Sequence, residues 1–131
     1  MKILGIGTDI IQNKRVNKLI KNKIFVKRTF GKDELKFSIK FNNKTNYFAK
    51  RFAAKEAFAK SLGTGFRNDL NFKDIQILND KLGKPYYLIS KKINNMIKKK
   101  FKIKNYNLSL SISDEKDYSI AFTILQKNNV K

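Results

Sequence analysis

Histidine and cysteine are both absent from these 131 residues, proline occurs once, and acidic residues number only ten. Each shortage closes off chemistry. Without cysteine there is no disulfide, no thiolate nucleophile and no cysteine-type zinc site, which fits a reducing compartment. Without histidine the usual general base near neutral pH is missing, and so is every Ser-His-Asp arrangement. A metal site must therefore use oxygen ligands, which favours Mg²⁺ or a similar hard cation. Long apolar runs are missing too. None approaches the roughly 20 residues that span a bilayer, and the N-terminus lacks the apolar stretch of a signal peptide. A cytoplasmic protein with no membrane attachment is expected.

What is abundant is positive charge. Thirty Lys and Arg against ten Asp and Glu give +20, an excess that attracts polyanions of any kind at low salt. Nucleic acid, anionic lipid, a phosphorylated cofactor and an acidic protein all qualify. Much of the excess also reads as compositional drift on a solvated surface, because the chain is rich in Lys, Asn and Ile. Arg binds phosphate and bases bidentately, so Arg15, Arg28, Arg51 and Arg67 carry more weight than the lysines.

At 41% hydrophobic residues and this length, the chain builds one compact domain, residues 1–131. Lys2 to Ile11 alternate as a strand, with Leu4, Ile6, Thr8 and Ile10 on one face and Gly5, Gly7, Asp9 and Ile11 on the other. The two glycines leave room for another backbone or a ligand. A helix begins near Asn13. From Phe25 to Phe41 two short helices break around Gly31, with Asp33 as the expected cap of the second. The longest helical pattern runs from Lys44 to Leu62, with Phe48, Phe52, Ala59 and Leu62 as its stripe, and Gly63 stops it. Asn71 to Leu78 is expected as a strand, Asn79 to Pro85 as a turn and Tyr86 to Ile89 as a strand. A helix from Lys91 to Phe101 precedes two strands: one carries Leu108, Leu110 and Ile112 on one face, the other Tyr118, Ile120, Phe122 and Ile124. These elements predict an α+β fold, a mainly antiparallel sheet packed against a long helix.

Asp9 stands in an otherwise apolar strand, and Glu56 lies at the edge of the long helix's stripe beside Ala49 and Ala53. One or two carboxylates, with water and substrate phosphates, are the usual protein share of a Mg²⁺ site in phosphoryl chemistry. A plainer reading stays open: Glu56 pairs with Lys60 one helical turn on, and Asp9 caps the following helix. Gly63-Thr64-Gly65 offers backbone N–H groups to a phosphate, though glycine after a helix also serves as a simple stop. Gly-Lys-[Ser/Thr] is absent, so this is no Walker motif.

Taken together, GIGTDIIQNKRV at Gly5 to Val16 and RFAAKEAFAKSLGTG at Arg51 to Gly65 resemble the holo-acyl-carrier-protein synthase family, the small bacterial phosphopantetheinyl transferases. NDKLGKPYY at Asn79 to Tyr87 and LSISDEKDYSIAFTI at Leu110 to Ile124 are similar as well, in the same order, so the resemblance spans nearly the whole chain. It implies transfer of the 4′-phosphopantetheine arm of coenzyme A to a serine of apo acyl carrier protein, Mg²⁺ dependence, and a homotrimer with active sites in clefts between subunits. Asp9 and Glu56 match the metal ligands, and Lys60 matches the lysine near the pyrophosphate. Arg51, Gly63, Thr64 and Gly65 match positions that hold the cofactor, with Lys84 and Pro85 near its adenine. Arg15 matches a basic residue that meets the acidic helix of the carrier protein, and Lys18, Lys21 and Arg28 extend that basic edge.

One departure stands out. Many members carry histidine in the C-terminal hairpin turn, where it holds the nucleotide's 3′-phosphate; here the turn reads Ser113-Asp114-Glu115-Lys116-Asp117. The resemblance then leaves that phosphate to lysines such as Lys44 or Lys116. The rival reading, a non-enzymatic nucleic-acid-binding module, draws on the basic surface. Against it, no stretch clusters aromatics with Arg, and carboxylates in a phosphate groove make little sense without a cation; no specific nucleic acid is expected as a partner.

Overall fold

The computed structural model describes residues 2–63 and 70–128. Strand β1 (Lys2–Gln12) leads into three short helices, α1 (Asn13–Leu19), α2 (Lys23–Thr29) and α3 (Lys32–Ser38). The long helix α4 (Lys44–Ser61) follows, then a 3-10 turn (Phe72–Asp74), strands β2 (Gln76–Asn79) and β3 (Pro85–Leu88), helix α5 (Lys91–Phe101), and strands β4 (Tyr106–Asp114) and β5 (Tyr118–Lys127). β5 lies between β1 and β4, antiparallel to both, while β2 and β3 form a separate hairpin. The expected α+β architecture, an antiparallel sheet against a long helix, is what the chain forms.

The sheet lies on α4 at unusually short range because β1 presents glycine there. A Cβ added at Gly5 would stand 1.8 Å from the Ser61 carbonyl oxygen, and one at Gly7 equally close to that of Ala57. No side chain fits in that space. On the helix side the contact is made smooth by Ala49, Ala53, Ala54, Ala57 and Ala59, all buried. Gly63, at φ +81°, ends the helix in the left-handed region as its sequence position predicts.

Several local expectations change. Asp33 is not the cap of α3; Gly31 is, and its N–H donates to Glu34 Oε1 at 3.0 Å. The N–H groups of Asp33 and Glu34 instead donate to the Gln76 side chain, at 2.8 and 3.2 Å, a partner 42 to 43 residues away that no local pattern reveals. The strand expected from Asn71 begins only at Gln76, because Phe72–Asp74 coil into a 3-10 turn. A register shift between Ile3 and Gly5 moves Leu4 onto the core and puts Ile3 outside with Ile6 and Ile10. On β5 the face turned to the core carries Ser119, Ala121, Thr123 and Leu125, so the more apolar face, Tyr118, Ile120 and Phe122, points outward.

Helix α4 is buried almost all round, and two of its buried residues are cations. Lys55 and Glu34 form an ion pair of 2.5 Å with both side chains fully buried. The Lys55 ammonium also donates to the carbonyls of Phe72, at 3.0 Å, and Ile75, while Glu34 accepts from the Ile77 N–H at 3.0 Å. Burial pulls the Lys55 ammonium down to about 8, against the opposing pull of Glu34. A paired and fully hydrogen-bonded ion of this kind holds α3, α4 and β2 in one arrangement, since breaking it would strand a buried charge.

Gly7→Ala is expected to prevent β1 from seating on α4, giving a protein with broadened thermal unfolding and a Tm lower by more than about 10 °C, at roughly 4–8 °C per kcal/mol for a small domain. A Tm within about 2 °C of the unaltered chain, read by calorimetry, would mean that the helix can lift away without cost.

Candidate active site

The last residues of β1 and the last turns of α4 meet at one edge of the molecule, and the charged groups picked from the sequence gather there. Lys60 Nζ donates to Asp9 Oδ1 at 3.2 Å and to the Thr8 carbonyl at 2.9 Å. It therefore pairs with Asp9 across the helix–sheet contact rather than with Glu56 along its own helix. Asp9 is not a helix cap either: Gln12 occupies that position, without a side-chain bond. Both parts of the plainer reading of these residues are set aside.

Asp9 and Glu56 are half-buried, and burial raises both carboxyls above their ordinary values. For Glu56 the next cause is the charge of Asp9, which raises it further; Lys60 and Arg15 pull both groups back down. Two half-buried carboxylates, the charge of Asp9 disfavouring the ionisation of Glu56, with a lysine half in solvent beside them, make an all-oxygen donor pair suited to a hard cation. Among the described residues no group of three or more acidic side chains forms a complete cage.

A second part of the site lies further up α4. Arg51 is only 3% exposed, yet no carboxylate pairs with it among the described residues. Its guanidinium sits over the Tyr47 ring, 3.6 Å from the centroid, donates to the Tyr47 carbonyl at 3.2 Å, and donates to Asn79 Oδ1. Burial lowers its pKa, with Tyr47 and Glu34 opposing the shift, and its Nε has no hydrogen-bond partner. Arg51 lines a cavity of about 230 Å³ with Phe37, Lys40, Phe41, Leu78, Asn79 and Tyr86. A buried cation beside a cavity lined by Phe37, Phe41 and Tyr86 suits an electron-rich planar guest. Lys84 and Pro85 follow the turn that starts at Asn79, so they border the same region.

Lys44 opens α4, about 24 Å along the axis from Lys60 at 1.5 Å per residue. Its ammonium donates to the Ser38 carbonyl. Nearby, Asn46 Nδ2 donates to Asp114 Oδ2 at 2.5 Å, which brings the acidic hairpin turn carrying Lys116 to this same end of the helix. Arg15, Lys18, Lys21 and Arg28 are all exposed. Arg15 acts on both Asp9 and Glu56 and so stands beside the carboxylates, whereas Arg28 borders a different depression with Ile24, Lys27 and Leu70 to Lys73. Thr64, Gly65 and Arg67 lie outside the described residues. The site residues missed from the sequence are Asn79, Phe41 and Tyr86; the dipeptide Asn79-Asp80 at the start of a turn was the available signal for the first.

Residues 5–123 match the family model described as the 4′-phosphopantetheinyl transferase superfamily. The chain is 57% identical over 127 residues to a holo-[acyl-carrier-protein] synthase of Pelagibacter ubique, covering 97% of this chain and 99% of that protein. Its fold is similar to the crystal structure of the holo-[acyl-carrier-protein] synthase of Neisseria meningitidis, with a TM-score of 0.84 and 41% identity over 95% of this chain and 99% of the other. It is also similar to the Bacillus anthracis protein of the same name, solved in complex with CoA (3′,5′-ADP), with a TM-score of 0.80 and 32% identity over 98% and 100% of the two chains.

The crowding of Asp9 and Glu56 has a thermodynamic sign. A carboxyl whose pKa rises on folding costs stability at pH values above it, because the unfolded chain ionises more easily. Glu56→Gln should therefore raise Tm at pH 7.5 in EDTA by about 2–5 °C, and the gain should shrink towards pH 4 as the carboxyl protonates in both states. A lower Tm at pH 7.5 would show that Glu56 supports the fold.

Proposed function

The chain belongs to the 4′-phosphopantetheinyl transferase superfamily, and on that footing we propose that it transfers the 4′-phosphopantetheine arm of coenzyme A to a serine hydroxyl of apo acyl carrier protein. Holo acyl carrier protein and adenosine 3′,5′-bisphosphate are the products, and the reaction serves fatty acid biosynthesis in the cytoplasm. Residues 1–131 work as one transferase domain. The observation that carries this reading is the meeting of Asp9, Glu56 and Lys60 where β1 ends against α4. No helix among the described residues is long and apolar enough to cross a membrane.

In the reaction the serine oxygen forms a bond to the phosphorus of the pantetheine-side phosphate. The bond from that phosphorus to the bridging oxygen breaks, and its electron pair leaves with the adenosine 3′,5′-bisphosphate. Asp9 and Glu56 would hold Mg²⁺, which would supply positive charge against the negative charge that develops on the pyrophosphate. Lys60, with one ammonium and a mobile stem half in solvent, is placed to follow the charge that builds on the departing phosphate. The serine proton passes to a carboxylate or to water.

Further up α4, the Arg51 cavity takes the adenine end of coenzyme A, with Lys84 and Pro85 near it, and Gly63, Thr64 and Gly65 serve the phosphates. Lys44 and Lys116, at the end of the helix where Asn46 holds Asp114, serve the 3′-phosphate in place of histidine. Arg15, Lys18, Lys21 and Arg28 steer the acidic carrier protein to the carboxylate edge, a contribution mainly to association rate.

The working unit is a homotrimer. In support, the outer face of the sheet exposes Ile3, Ile6 and Ile10 of β1 beside Tyr118, Ile120 and Phe122 of β5, each 40–61% accessible. Ile10 is paired with Ile120, and Phe122 with Thr8, so these side chains form one continuous apolar surface. A monomer rarely leaves such a patch uncovered.

Intact-mass spectrometry of apo acyl carrier protein incubated with this protein and coenzyme A should show the gain of one phosphopantetheine arm with Mg²⁺ and none with EDTA. Asp9→Ala should reduce the rate about 100-fold to 1000-fold, the usual scale for removing one electrostatic support of a transition state. Near-normal turnover by Asp9→Ala in Mg²⁺ would remove it from the ion site. Separately, the double substitution Ile10→Lys with Phe122→Lys should shift the mass measured by light scattering from trimer to monomer; an unaltered chain that already runs as a monomer at micromolar concentration would refute the assembly.

A further inference from the structure

Helix α4 and the turn after β2 are connected through one side chain. Asn79 ends β2 opposite Pro85 in the hairpin register. Its Oδ1 accepts from Arg51 Nη2, and its Nδ2 donates to the Gly83 carbonyl at 3.0 Å. An asparagine amide carries an acceptor and a pair of donors at opposite corners, so it can grip both groups at once. Aspartate would keep the arginine and lose the glycine.

The turn beyond Asn79 keeps its own shape without help from the rest of the fold. Asp80 Oδ1 accepts from the N–H groups of Leu82 and Lys84, both at 2.9 Å. The Asp80 N–H donates to the Lys84 carbonyl at 2.9 Å, and the Gly83 N–H donates to the Asp80 carbonyl at 3.0 Å. Gly83 adopts φ +88°, which only glycine enters without strain. The tip is in solvent, with Leu82 96% exposed. Among the described residues, the bond from Arg51 to Asn79 is the only side-chain hydrogen bond between residues 79–84 and α4. A locally rigid turn with one tether to the helix has its orientation set by that tether.

We propose that Asn79 is a positioning residue for donor recognition, clamping the turn that presents Lys84 and Pro85 to the buried guanidinium of Arg51, so that the two walls of the adenine-side cavity stay in register. This rests on the reading that coenzyme A is the donor and that its adenosine end lies there. Loss of Asn79 leaves Asp9, Glu56 and Lys60 untouched, because they stand on β1 and on the far end of α4. The effect therefore falls on binding of the adenosine portion and spares the chemical step.

The test compares the unaltered chain, Asn79→Ala and Asn79→Asp in steady-state transfer to apo acyl carrier protein, using coenzyme A and pantetheine 4′-diphosphate, which lacks the adenosine. For Asn79→Ala the KM for coenzyme A should rise about tenfold, and for Asn79→Asp, which keeps the tether to Arg51 and loses only the Gly83 bond, about threefold, with kcat within about twofold, while the KM for the carrier protein and all constants with the short donor match the unaltered chain. The aspartate variant retains a partner for Arg51 and so keeps the fold if alanine does not. Equal losses with both donors, a fall in kcat, or an unchanged KM in an otherwise active protein would each overturn the proposal. An unaltered chain that transfers neither arm would overturn the assigned reaction, and Asn79's role with it.

Discussion

The approach of two glycines to two helix carbonyls governs the geometry of this molecule. Gly5 and Gly7 let β1 press on α4 where Ser61 and Ala57 turn their carbonyl oxygens, at a distance that admits no side chain. With β1 so close, Asp9 two residues further on stands within reach of the Lys60 ammonium and influences the ionisation of Glu56. A strand held a normal side chain's width away would separate these groups by several ångströms. The buried alanines on α4 complete this arrangement: each takes up little volume and carries no polar atom, so that the helix can be covered by the sheet while its charged residues emerge only along chosen rows.

Those rows divide the work of α4. Arg51 and Lys55, one turn apart, point into the protein; Glu56 and Lys60, also one turn apart, emerge at its edge. Lys55 is completely enclosed and fully bonded by Glu34 and two carbonyls, which makes it structural. Arg51 is enclosed but incompletely satisfied, with its Nε unbonded and no acidic partner among the described residues. Burying a cation on such terms costs stability unless another group arrives. The difference between the two cations is the physical reason to place a ligand beside one and not the other.

How far the sequence could be read follows from the range of the forces involved. Strand alternation, the long helix, its glycine stop and the C-terminal hairpin depend on neighbours within a few residues, and all were legible. The pairing of Asp9 with Lys60 rather than Glu56 with Lys60 was not, because both satisfy the same electrostatics and only the tertiary approach decides between them. Capping of α3 by Gln76 was invisible for the same reason, as was the burial of Lys55, whose partner Glu34 lies 21 residues away. The β5 face was misleading in a more useful way. An apolar face reads as the core side of a strand, and here the core takes Ser119, Ala121 and Thr123 because α4 sits too near for larger residues.

That inversion ties the exposed apolar face to the same contact. Since the helix side of the sheet must be small, the bulky residues of β1 and β5 accumulate on the opposite side, where they lie open in a single chain. At roughly 25 cal/mol per Å² of apolar surface, covering such a face is a substantial driving force for association. Close packing against α4 and an exposed apolar outer face are thus two consequences of one steric choice. Bulk introduced on the helix side would displace Asp9, and polarity introduced on the outer side would leave Asp9 in place while removing the apolar surface on which the proposed assembly rests. Substitutions on the two faces of one strand should therefore separate the placing of Asp9 from any self-association.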